Sequence, residues 1–266
     1  MNVPGSQPMP GDPFQQWAAQ QGWRIARDVP TDVLEQLPGP PFHEYRRKAI
    51  SLLLAGLHEG MPALVMQLAN SYQHSAPSGS YYSPGADRQV STSTTHTGTS
   101  MTSVAVLELP APVPELLVEQ QRDKLDDVLN LFRFNRSRRP FQTSPVATVQ
   151  IGDPSRSLEA FTYHLSGASP QYVQAVATPE RLNWLYASFG TYAGLDVQAR
   201  PYFRFSGRKV ICWTGERLFN PKAVDDLLGW AHFLTSWIPP AAFQDPAAAQ
   251  ADQQHTPLPQ LQLPFS

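Results

Sequence analysis

Prolines decide where the elements of this chain can begin and stop. Its 27 prolines in 266 residues are about twice the average share. Asp12-Pro13, Ser169-Pro170, Thr178-Pro179 and Asn220-Pro221 each set a proline behind a residue able to cap a helix. A proline at the first helical position has its φ preset and gives up an N–H that lacks a partner there in any case. Each pair therefore predicts a helix start. Pro38-Gly39-Pro40-Pro41 and Pro239-Pro240 act the other way and stop what precedes them. Pro110, Pro112 and Pro114 withhold ladder hydrogen bonds from a stretch that must still be extended.

Hydrophobic spacing fills in the elements between these marks. The clearest helix runs from Asn220 to Ile238, where Val224, Leu227, Leu228, Ala231, Leu234 and Ile238 follow the i, i+3, i+4, i+7 pattern. A shorter one follows Asp12, with Phe14, Trp17 and Ala18 on one face and Gly22 at its end, and another covers Thr31 to Leu37. Arg122 to Leu131 also has helical spacing, through Leu125, Val128, Leu129 and Phe132. Lys48 to Leu57 and Ala63 to Ser71 are apolar arms separated by Glu59-Gly60, which reads as a hairpin. Trp23 to Asp28, Val104 to Leu109, Ala147 to Ile151 and Ala160 to Leu165 read as further strands. Tyr202 to Phe205 and Lys209 to Trp213 flank Ser206-Gly207-Arg208, a second hairpin signal. From Tyr72 to Ser103 the chain is Ser, Thr, Gly and Tyr with almost no aliphatic residue, as expected of a flexible insertion in a long hairpin loop.

This order predicts an α+β fold: a mainly antiparallel sheet with short helices and the C-terminal amphipathic helix packed across it. The two halves look loosely alike, each pairing a strand and short helices with a hairpin, without a residue-level repeat. The expected organisation is a disordered arm over 1–12, a single domain over 13–240 and a disordered Pro/Gln/Ala tail over 241–266. Within the domain, 72–103 is the insertion and 132–140 a basic connector.

Charge narrows the partners. With 20 Lys plus Arg against 22 Asp plus Glu, the net charge is -2, which gives no general attraction to phosphate polymers or anionic lipid. The one cysteine, Cys212, rules out an intramolecular disulfide and reads as a small buried hydrophobe in a strand. Met1 to Asp12 has neither a basic nor an apolar signal region, and no stretch reaches membrane-spanning length. A soluble cytoplasmic protein is the expectation.

Catalytic signatures are missing. His43, His58, His74, His96, His164, His232 and His255 show no HxH, HExxH or HxxxH pairing, so no metal or other cofactor is expected, and His232 reads as a boundary residue. No GxSxG, SxxK, P-loop or dinucleotide signature occurs. An enzyme would need a motif-free acidic site, with Asp126, Asp127, Asp153 and Glu159 as candidates. Arg133, Arg136, Arg138 and Arg139 alternate with Phe132, Phe134 and Phe141. Guanidinium groups beside aromatic faces can hold phosphates and stack on bases, while the plainer reading is a solvated connector.

The tail offers a different kind of function. From Ala241 onward only Asp245 and Asp252 are charged and no helical or strand period is present, so its apolar residues are expected to stay free for a partner. Gln260-Leu261 and Leu263-Pro264-Phe265 resemble a bacterial sliding-clamp binding peptide, with Gln262 departing at the middle position. The resemblance implies a protein partner, an apolar anchor inserted in a clamp pocket and polar contacts from the glutamine. A second resemblance rests on Gly22-Trp23, Pro40-Pro41-Phe42, Leu107-Glu108-Leu109-Pro110, and Thr178-Pro179 to Trp184-Leu185. In that order they are similar to a group of uncharacterised actinobacterial proteins over about Trp17 to Pro239. It implies a bacterial origin and the same element order. The best reading is a non-enzymatic interaction protein.

Overall fold

The structure, a computed structural model, describes residues 11–42, 48–82, 89–120, 147–151, 161–184, 202–215, 217–218, 220–253, 256–260 and 263. It is α+β, built on a seven-stranded antiparallel sheet. The strands are β1 (Arg24–Val29), β2 (Lys48–His58), β3 (Met61–Tyr82), β4 (Gln89–Gln120), β5 (Ala147–Ile151), β6 (Phe161–Gly167) and β7 (Tyr202–Thr214). Their order is β1-β2-β3-β4-β6-β5, and β7 lies along the other edge of β4.

Each of the four capping-residue and proline pairs named above starts a helix. Pro13–Gln21 forms α1, Pro170–Val176 forms α2 and Pro221–Thr235 forms α3, while residues 179–184 are also helical. Asp12, Ser169 and Asn220 each accept a hydrogen bond from a first-turn N–H, which satisfies a donor the helix itself cannot. Leu227, Leu228, Ala231 and Leu234 of α3 are buried against the sheet.

Two apolar clusters occupy opposite faces of the sheet. Leu52, Leu54, Val65, Ala105, Leu107, Phe203, Phe205 and Cys212 face the helices. Leu53, Leu64, Met66, Val104, Val106, Ile211 and Trp213 face the other way, under Val33, Leu34, Leu37 and Phe42 of the 31–42 segment. Because both faces are covered, the strands carry continuous apolar runs rather than an alternating pattern.

Three expectations are corrected. The described parts of the polar 72–103 stretch, 72–82 and 89–103, are not a loop: β3 and β4 stay paired along them, from Ala63 with Leu107 out to Tyr82 with Gln89. Ser and Thr lack core-forming bulk, yet the backbone ladder needs no aliphatic side chain to continue. The hairpin at Ser206-Gly207-Arg208 is instead one strand, β7, which follows β4 with register shifts where Pro110, Pro112 and Pro114 interrupt the ladder. The described residues of the tail are also structured. Pro240–Gln244 makes a 3₁₀ turn, Pro246–Asp252 forms helix α4 capped by Asp245, and Leu258–Gln260 makes another 3₁₀ turn.

Small size lets this tail lie close. Ala242 joins the helical-side cluster, Ala248 is buried, and Leu258 and Leu263 reach the second cluster. At Gly207 an added Cβ would come within 2.9 Å of the Asp252 backbone, and Arg208 pairs with Asp252 at 3.2 Å. The Leu258 N–H donates to Glu108 Oε2 at 2.6 Å. Over its described residues the tail is a strap on the sheet rather than a leash.

Candidate functional site

The turn between β2 and β3 meets the C-terminal half of α3. His58 ends β2 and pairs with Met61 across a two-residue turn. Glu59 and Gly60 there have φ of 48° and 80°, the left-handed pair that a type I′ turn requires. Trp23 braces the turn from below. Its indole N–H donates to the Leu57 carbonyl at 3.1 Å, and its ring lies so near Gly56 that an added Cβ would meet it at 2.5 Å. Trp17 packs on Trp23 with ring centroids 5.4 Å apart and donates to Asp225 Oδ2 of α3 at 3.3 Å.

Asp225 and His232 are two turns apart on α3 and so share a face. His232 Nε2 stands 3.5 Å from Glu59 Oε2, and its ring meets His58 edge-on at 5.8 Å between centroids. One donor atom from each of His58, Glu59 and His232 lies within 4.8 Å of the other two. His58 Nε2 and His232 Nδ1 are enclosed and have no hydrogen-bond partner. Burial lowers the His58 pKa from its ordinary 6.5, against opposing pulls from Glu59 and Asp225. Burial raises that of Asp225, with the Trp17 hydrogen bond opposing.

The residue after His232 faces a second feature. Phe233 and Trp184 are 40% and 39% exposed, yet their rings lie 4.5 Å apart. Trp184 also packs on Trp230 at 5.6 Å, and Phe233 meets Trp237 edge-on at 6.1 Å. The rings of Trp184, Phe233 and Trp237 border a cleft of about 380 Å³ that includes Glu180, Arg181 and Ser236. Arg181 is immobilised there: Nη1 donates to the carbonyls of Ala175, Val176 and Trp237 at 3.0, 2.9 and 3.0 Å. Its guanidinium stands over Trp237, 5.6 Å from the ring centroid. Hydrogen bonds from its own N–H and from Thr178 hold the Glu180 carboxyl below its ordinary pKa, so this one rim residue is anionic beside the cationic Arg181.

A third polar group is internal. Arg204 is 1% exposed and pairs with Glu115, while donating to the Pro38 carbonyl at 2.7 Å and to Ser206 Oγ at 2.9 Å. Ser206 in turn donates to Glu115. Lys209 is also buried, and desolvation brings its pKa from 10.5 to about 8, opposed by Glu108 and Asp252. This group anchors the 37–42 segment and the tail to the second face, which makes it structural.

The residues singled out from sequence fall differently. Gln260 completes the last 3₁₀ turn and Leu263 is half-buried against the second cluster, whereas Leu261, Pro264 and Phe265 lie outside the described residues. Arg133, Arg136, Arg138 and Arg139 lie outside them too, as do Asp126, Asp127, Asp153 and Glu159. Cys212 is the buried strand residue expected, its thiol pushed up to about 12 by burial. The pairing of His58 with His232 was not foreseen. The visible signals were an i, i+7 Asp225/His232 pair and a glutamate at a turn position that favours Asn, Asp or Gly. Among the described residues no helix is long and apolar enough to cross a membrane. Comparison with protein-family models, with curated proteins and with solved structures returns no match.

Proposed function

We propose that this chain is a non-enzymatic interaction protein, acting in the bacterial cytoplasm, whose aromatic cleft receives a bulky apolar side chain of a protein partner. The carrying observation is the exposure of Trp184 and Phe233 around a cleft whose arginine is already fixed. Exposed apolar surface with a polar rim marks association sites in soluble proteins. Rings and an immobilised arginine supply binding energy at little entropic cost. The anionic Glu180 at the rim favours a basic residue beside the partner's anchor.

A photo-crosslinking phenylalanine analogue at position 233 of the full chain, expressed in its native cells, tests this. A discrete adduct should form and be lost when Trp184→Ala is added. Equal adducts from the exposed position Gln174, or none from 233, would defeat the reading.

A second reading keeps the C-terminal peptide as an anchor for a sliding clamp. It is favoured by the half-burial of Leu263, which leaves that side chain held weakly enough to be exchanged for a pocket in another protein. Surface plasmon resonance against a recombinant bacterial clamp should then show binding that Leu261→Ala with Leu263→Ala removes. Binding that is undetectable, or unaffected by the double change, sinks it.

A further inference from the structure

We propose that His58, Glu59 and His232 form a binding site for a single divalent transition-metal ion of the zinc and nickel class. The donor set is two imidazoles and a carboxylate, which suits these borderline cations and not magnesium or calcium. Three donor atoms lie mutually within 4.8 Å. Tetrahedral zinc at about 2.0–2.1 Å from each ligand needs them roughly 3.3 Å apart. Small side-chain rotations close that difference, because Glu59 is an exposed flexible side chain at a turn and His232 is at the helix surface.

Three independent features converge on the same point. Both histidines hold an enclosed nitrogen without a partner, although buried polar atoms in folded proteins are nearly always satisfied. Coordination through His58 Nε2 would answer the deficit at that ring, whereas His232 turns its other nitrogen, Nε2, toward Glu59. Glu59 keeps a left-handed φ of 48°, at a cost of about 1–2 kcal/mol for a residue with a Cβ, where asparagine or glycine would fit more easily. The turn and the helix are braced against each other through Trp23, Trp17 and Asp225, so the two ligand-bearing elements are held in place before any ion arrives. Asp225 adds a second negative charge on the same helix face, beside His58. With three protein ligands the fourth position of a tetrahedral ion stays open to water or to a partner's side chain.

The test is isothermal titration calorimetry on the full chain, freed of any histidine tag and stripped with chelator, using zinc chloride and nickel chloride separately. One equivalent should bind. His232→Gln and His58→Gln should each weaken binding by at least about tenfold, and Glu59→Gln by less, as expected when a ligand is lost. Circular dichroism melts of each variant confirm that it is folded, and Glu59→Gln, at an exposed position, keeps the comparison available if His58→Gln does not fold. Absence of binding at 100-fold excess metal overturns the proposal. So does binding of unchanged affinity in His232→Gln and Glu59→Gln, which would place the ion on other histidines.

Discussion

Replacing Gly39 with alanine should destabilise the fold far more than a loop position ordinarily allows. Gly39 has a φ of 86°, and a Cβ there would lie 1.9 Å from Arg204 Nη1 and 2.7 Å from its Cζ. An arginine tip in solvent would swing away. This one is 1% exposed and bonded to Pro38, Glu115 and Ser206, so either the 37–42 segment lifts or the guanidinium leaves its partners. The left-handed backbone alone costs alanine about 1–2 kcal/mol. Losing the Arg204 bond to the Pro38 carbonyl, a hydrogen bond from a charged group, adds about 1.5–3 kcal/mol. Together these amount to about 2.5–5 kcal/mol. Gly22→Ala is the control, since its φ is 69° but nothing lies within 4 Å of the added Cβ; it should cost only the backbone share. Urea unfolding followed by tryptophan fluorescence measures both. If Gly39→Ala loses no more stability than Gly22→Ala, the claim that Arg204 is pinned beneath this segment is wrong.

Two further substitutions probe the strap and the buried lysine. Leu258 is 4% exposed, so Leu258→Ala should cost about 2 kcal/mol, the low end for a buried leucine because a chain end can relax; a change within experimental error would return the tail to solvent. Lys209 has a folded pKa near 8 against an ordinary 10.5. Below pH 8 it is protonated folded or unfolded, and the burial penalty is fully present. Between pH 8 and 10.5 the unfolded chain keeps a proton that the folded chain has released, so stability rises with pH, by at most about 1.4 kcal/mol per unit for one group. Lys209→Met should abolish that rise in unfolding free energies measured from pH 8 to 10, and an unchanged slope would count against the burial argument.

The legible parts of this fold are those set by neighbours in sequence. A capping side chain and a proline act within one turn, which is why the starts of α1, α2 and α3 could be read directly. Asp245-Pro246 carries the same sign and begins α4, but alanine and glutamine around it gave no hydrophobic period to attach it to. The strands were harder. Lys48 to Leu57 does not alternate because Leu52 and Leu54 serve one cluster while Ile50 and Leu53 serve the other. Gly207 looked like a hairpin turn because a glycine flanked by strand-like segments has two meanings, a turn or a close approach within one strand. The choice was made by Asp252, 45 residues away in sequence, whose backbone occupies the space above it.

Helix α3 shows why the candidate sites were less legible than the fold. Its inner stripe, Val224, Leu227, Leu228, Ala231 and Leu234, repeats with the helix and is visible in one dimension. The flanks do not repeat. Asp225 and His232 gain meaning only from Trp17 and the Glu59 turn, and Phe233 only from Trp184. Consecutive residues on a helix point about 100° apart, so His232 and Phe233 serve different surfaces although they are adjacent. That separation makes the two proposals independent. Phe233→Ala should empty the cleft without touching a donor atom of the histidine site, and His232→Gln should remove a metal ligand without altering the rings. A metal titration that fails in Phe233→Ala with the fold intact would mean that the last turn of α3 works as one unit.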